Sequence, residues 1–180
     1  MQIYTIIATN NYEWINAIDK NDYEKFNTLN GEYLGAKWNP IKIKTVQADK
    51  RQKKLKSDFP FLGSDNLIFR SKVKEEIGTI IESFGEILKL QSDEDDEFYC
   101  LNIKTYDWLD YEKSEIQYIP NTKKIMRIKK IVPNEKWEKD TLIFKFSYRA
   151  SSVIVNQDFV NIYKDKKYVG LTFQVIGNFT

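Results

Sequence analysis

Apolar residues recur along this chain in two rhythms, and the rhythm of two dominates. Residues 2–8 form an apolar run, and Ile41-Lys42-Ile43-Lys44 opens an alternation that continues to Val46. Both patterns predict strands, one face turned inward and the other to water. Further strands are predicted over 33–38, 86–90, 98–104, 115–119, 125–132, 142–146, 152–155 and 168–176. Turn chemistry separates them at Asn39-Pro40, Pro120-Asn121 and Pro133-Asn134.

The helical rhythm is clearest where Val73, Ile77, Ile80, Ile81 and Phe84 fall on one stripe. Ser71 is placed to cap that helix, Glu75 and Glu76 complement its positive end, and Gly85 suits the residue after its last turn. Gly78 lies inside the helix, where glycine costs about 1 kcal/mol relative to alanine, and this predicts close packing there. A second helix follows Asn156, with Phe159, Ile162 and Tyr163 on one face. Within the polar stretch 10–31, Trp14, Ile15, Ile18 and Asp22-Tyr23 mark a short third helix. Strands in the majority, with helices scattered between them, predict an α+β fold. Its sheet should be mainly antiparallel, with two or three helices packed on it in a single domain.

Composition narrows the chemistry. The 180 residues are 42% apolar and 30% charged, the balance of a globular chain. No apolar stretch reaches the roughly 18–20 residues that span a bilayer, and residues 1–7 lack the regions of a signal peptide. With Cys100 as the single cysteine, these features predict a cytoplasmic protein with no membrane association. There is no histidine, which removes the commonest general base and the commonest transition-metal ligand. No glycine pattern matches a phosphate loop, Ser151-Ser152 has no histidine to activate it, and Cys100 lies in an apolar strand pattern. The reading is therefore of a binding protein and not an enzyme, with no cofactor.

Three polar constellations are candidates for contact. The span 107–115 concentrates Asp107, Asp110, Glu112 and Glu115 around Trp108 and Tyr111. Such carboxylates can share acid–base work or hold a divalent cation. Asp at a spacing of three also suits a turn, which is the preferred reading. The acidic run 93–97, with Asp93, Asp95 and Asp96, reads as an exposed turn that could meet a basic partner. The stretch 42–56 holds seven basic residues in fifteen, among them Lys50, Arg51, Lys53, Lys54 and Lys56, close to Tyr33 and Trp38. That combination can grip single-stranded nucleic acid, although Asp49 and a net charge of only +2 favour a solvated surface.

Three blocks resemble a family of bacterial immunity proteins from polymorphic toxin systems. The first is Asp58-Phe59-Pro60-Phe61, the helix from Ser71 and Glu86-Ile87-Leu88-Lys89-Leu90. The second is Phe98-Tyr99-Cys100-Leu101-Asn102-Ile103 running into the span 107–115. The third is Ile143-Phe144-Lys145-Phe146, Ile154-Val155-Asn156-Gln157-Asp158-Phe159 and Tyr168-Val169-Gly170-Leu171-Thr172-Phe173. The resemblance covers about residues 58–176 and leaves 1–57 as a variable N-terminal part. Trp108 stands where a smaller residue is usual in the family, and Asn156 where serine is common. The resemblance implies a protein that neutralises a cognate toxin by direct stoichiometric binding, without turnover. It brings no catalytic residue. On that expectation, Asp93, Asp95, Asp96, Asp107, Asp110 and Glu112 supply a polar contact surface, and Trp108 and Tyr111 are its exposed anchors.

Overall fold

The computed structural model describes residues 2–46, 54–148 and 151–178. The chain begins with β1 (Gln2–Ala8), β2 (Trp14–Ala17), α1 (Asp22–Asn27) and β3 (Ile43–Val46). A central section follows, with β4 (Leu67–Arg70), α2 (Ser71–Ile81), β5 (Gly85–Lys89), β6 (Phe98–Ile103) and β7 (Thr105–Tyr106). The last section is β8 (Glu115–Tyr118), β9 (Ile125–Lys130), β10 (Ile143–Phe146), β11 (Ile154–Asn156), α3 (Gln157–Asp165) and β12 (Leu171–Asn178). This is an α+β fold whose strand pairs are antiparallel except for β7 beside β10.

The largest sheet runs β12-β1-β11-β10-β7, so the first strand lies between two elements from the far end of the chain. A three-stranded sheet, β4-β6-β5, faces it. Between them Tyr4, Ile6, Val155 and Leu171 meet Phe69, Leu101 and Ile103, with Val73 and Ile77 of α2 and Phe159 and Tyr163 of α3. The opposite face of the smaller sheet is also buried. There Ile68, Leu88, Phe98 and Cys100 pack against Ile15, Phe26, Ile41 and Ile43 from the N-terminal part. The opposite face of the large sheet presents Ile3, Phe144 and Ile154 to a third cluster with Trp108, Leu109 and Ile131. The N-terminal residues 1–57 thus contribute to all three cores.

Four local outcomes differ from the pattern-based expectation, each for a physical reason. Trp14 and Ile15 belong to a strand instead of a helix, because Ile15 and Ala17 alternate inward as β2 pairs with β3. The helix comes later, at Asp22–Asn27. Residues 33–38 form no strand: a turn of 3₁₀ helix, Gly35–Lys37, is held by the Glu86 carboxylate, which accepts from Leu34 N at 2.7 Å and Gly35 N at 2.8 Å. Ser71 is the first helical residue and not the cap, a place taken by Arg70 without a side-chain bond. Gly85 has an extended φ of 167° and opens β5. A Cβ there would lie 2.3 Å from Asn102 O, so close approach of β6 demands the glycine. By contrast, Asn156 caps α3 as its sequence context predicts, its Oδ1 accepting from Phe159 N at 3.0 Å.

Gly78 is not required by close packing. A Cβ added there meets only Lys74 Cγ at 3.4 Å and Ile87 Cδ1 at 3.9 Å, ordinary contacts. Gly78→Ala should therefore stabilise the protein by about 1 kcal/mol, the intrinsic helical difference between the two residues. Urea denaturation would show this as a raised midpoint at unchanged slope.

Candidate partner-binding surface

The span 107–115 folds as a turn, and its chemistry explains why. The Asp110 carboxylate accepts from Glu112 N at 3.1 Å and Lys113 N at 3.0 Å, and pairs with Lys113 Nζ at 2.9 Å. That lysine bond holds the Asp110 carboxyl below its usual range. Asp110 N donates to Val132 O at 2.8 Å, and Ser114 Oγ bridges both backbone groups of Val132. The turn is thereby sewn to the segment that follows β9. Asp107, Glu112 and Glu115 are exposed, and among the described residues no group of Asp, Glu or Cys is arranged to hold a metal ion.

Trp108 is not an exposed anchor. It is 5% exposed, stacked on Tyr106 at 3.9 Å between ring centroids and edge-on to Phe144 at 5.2 Å. Trp108 belongs to the third core. Tyr111 is 47% exposed and does face solvent.

The acidic run is divided in the same way. Asp93 and Asp95 are exposed, but Asp96 and Glu94 turn inward to a buried arginine. Arg70 is 4% exposed, and its guanidinium meets Asp96 at 2.8 Å, Glu94 at 3.3 Å and the buried Glu13. Its Nε donates to Ser57 O at 2.9 Å, and its plane lies 4.2 Å above the Phe98 ring. Glu13 also accepts from Ser57 N at 2.9 Å. Asp96 is held below its ordinary value, chiefly by its bond to Lys56 and further by Arg70. Glu97 is occupied by Lys89 and Tyr99. Much of this run therefore does structural work, and Asp96 is an internal partner before it is a surface one.

Of the basic stretch, Lys50, Arg51 and Lys53 lie outside the described residues. Lys56 pairs with Asp96, and Lys54 Nζ stands 4.3 Å from the centre of the Trp14 ring. Cys100 is fully enclosed, and burial pushes its thiol up to about 12, which leaves it inert at neutral pH.

A further concavity lies elsewhere. Strands β8 and β9 form a ribbon paired only with each other, closed by a turn in which Asn121 takes φ 60° and Ile119 N donates to Lys124 O at 2.9 Å. Ile116, Ile125 and Ile128 on its inner side touch the third core. Beside its tip is a groove of about 890 Å³, with Tyr111, Tyr118, Tyr148, Ile119 and Ile125 among its walls and Lys123 and Lys124 at its edge. Partial burial raises the Tyr111 phenol above its usual value, and Asp107 and Tyr118 add to the effect. Burial likewise raises Tyr148. The Tyr111 and Tyr148 hydroxyls therefore stay protonated near neutral pH and can donate hydrogen bonds. No protein-family model matches this chain, and no curated protein matches it in sequence.

The ribbon is also strongly basic. Between residues 116 and 134 there are five cations, Lys123, Lys124, Arg127, Lys129 and Lys130, and no acid. All five are exposed, and none lies within ion-pair distance of a carboxylate among the described residues. This feature was legible as a charge run within a predicted strand pair. The convergence of Tyr111 and Tyr148 on it was not, because the first comes from the turn before β8 and the second from beyond β10.

Proposed function

We propose that this chain is a non-catalytic binding protein of the immunity type, which neutralises a bacterial toxin by one-to-one contact. The observation that carries the reading is the hairpin groove, an open concavity walled by three tyrosines and two isoleucines and rimmed by lysine. Tyrosine in a semi-enclosed pocket with a polar rim is the arrangement that concentrates binding energy at protein interfaces. Supporting it, the charged side chains of the Arg70 cage and of the Asp110 turn are consumed by the fold. The three sequence blocks supply the immunity part of the reading, and the groove supplies the binding part.

The test is to mix the protein with each toxin candidate encoded beside its gene. One such toxin should form a 1:1 complex and lose activity in proportion to the protein added, with complete inhibition at equivalence. If every neighbouring toxin stays free and active, the immunity reading is wrong. Sub-stoichiometric inhibition would instead point to turnover.

A further inference from the structure

We infer that the hairpin groove receives an acidic, extended segment of a protein partner, which pairs along the open edge of β9. The inference rests on the proposal that the chain acts by binding, and adds the chemistry of what is bound. Three features of the ribbon point the same way.

The first is charge. Five exposed cations against a single acid, Glu115 opposite Lys130, give the ribbon a positive local field, whereas the whole chain carries only +2. Such a patch favours an acidic surface and repels a basic one. The second is the backbone. Strand β9 pairs only with β8, so the alternate N–H and C=O groups on its other side have no strand beside them among the described residues. An open edge is a template for another strand, and main-chain pairing of this sort is a recurring mode of peptide capture. The third is the groove itself. Tyr118 and Ile119 are 44% and 41% exposed next to the ribbon tip, and such half-buried surface suits an apolar side chain at the end of a docked strand.

A single-stranded nucleic acid would use the cations and could stack on the tyrosines. It would leave the strand edge and the isoleucine walls unused, which is why a peptide is the better fit. If the partner is a toxin, the surface covered is acidic. It would then not be the basic cleft with which a nuclease holds its substrate.

The experiment uses the full chain and three probes: a peptide of alternating Glu and Val, the same peptide with Lys for Glu, and an oligothymidylate of equal charge. The Glu–Val peptide should bind with Kd below about 1 mM, the weak limit of measurable recognition. It should shift the tyrosine signals of the groove and slow amide exchange along β9. Lys124→Glu with Arg127→Glu, both on exposed positions, should weaken it by at least about tenfold through like-charge repulsion, with the thermal midpoint unchanged. Absence of peptide binding, equal binding of the Lys peptide, or tighter binding of the oligothymidylate would each overturn the inference. The doubly substituted chain also separates the two claims. If it still captures a toxin that the parent captures, the acidic-segment inference fails and the immunity reading survives. If the peptide binds but no neighbouring toxin does, the groove assignment is supported and the immunity reading fails.

Discussion

Replacing Arg70 with methionine should cost about 3–5 kcal/mol of folding stability, the usual penalty for removing one partner of a buried ion pair. The loss would not come from attraction alone. Glu13 lies beneath the surface with Arg70 as its cationic partner and Ser57 N as its other donor. Without the guanidinium a buried carboxylate is left without its cationic partner. Ser57 O loses the Nε donor, and Phe98 loses the flat cation above it. Glu94 and Asp96, about one-third exposed, can turn back to water, so their share is small. Urea denaturation gives the number. A Glu13→Leu, Arg70→Met pair should recover part of the loss, because no charge is then stranded, and a cycle of the four proteins isolates the coupling. A loss for Arg70→Met below about 1 kcal/mol would show that the network is replaceable by water.

Acid should loosen the same network from its rim. The folded Asp96 carboxyl lies below its unfolded value of 3.8. Its contribution is thus fully present above that value and is lost as pH falls through the lower, folded one. Since Lys56 is the leading cause of the shift, the segment between Lys56 and Arg70 should gain amide exchange under acid.

Arg70 also shows which parts of this fold could be read from the order of residues. The strands with one buried face announced themselves by alternation, as in Ile41-Lys42-Ile43-Lys44, and α2 by its stripe of Val73, Ile77 and Ile81. Strand β4 did not. All four of its residues, Leu67 to Arg70, are buried, because both faces of its sheet are covered. A strand buried on both sides has no period of two to detect. Its arginine then reads as a boundary to solvent, since the carboxylates that pair with it lie 57, 24 and 26 residues away. Such a cage exists only once the chain has closed.

The candidate surface divides along the same line. The capping role of the Asp110 carboxylate follows from Asp at the start of a turn, a local effect visible in the sequence. The basic ribbon is equally local. The groove is not, because its walls come from three places along the chain and its depth depends on how the hairpin leans over the third core. The placing of Trp108 beside Tyr111 as a second exposed anchor failed for the same reason. Both are aromatic, both are flanked by acids, and a turn offers no period to say which of them points inward.

Trp108→Ala and Tyr111→Ala should therefore fail in opposite ways. The first removes a ring packed on Tyr106 and Phe144 and should cost about 3–5 kcal/mol of stability, the range for a buried Trp or Phe cut to alanine. The second removes a half-exposed ring and should change stability by less than about 1 kcal/mol, while weakening partner binding by at least about 2 kcal/mol if it is an interface anchor. Denaturation and binding have to be measured on the same two proteins, because Trp108 can mimic a binding residue. Its backbone oxygen accepts from Asn134 N at 2.7 Å, and neighbouring Leu109 bridges to Pro133. A cavity at Trp108 would thus release the base of the β8–β9 hairpin and spoil the groove from below. Binding lost by Trp108→Ala in proportion to its unfolding is a core effect. Binding lost by Tyr111→Ala at full stability is a contact, and if Tyr111→Ala binds as tightly as the parent, the groove is not where the partner docks.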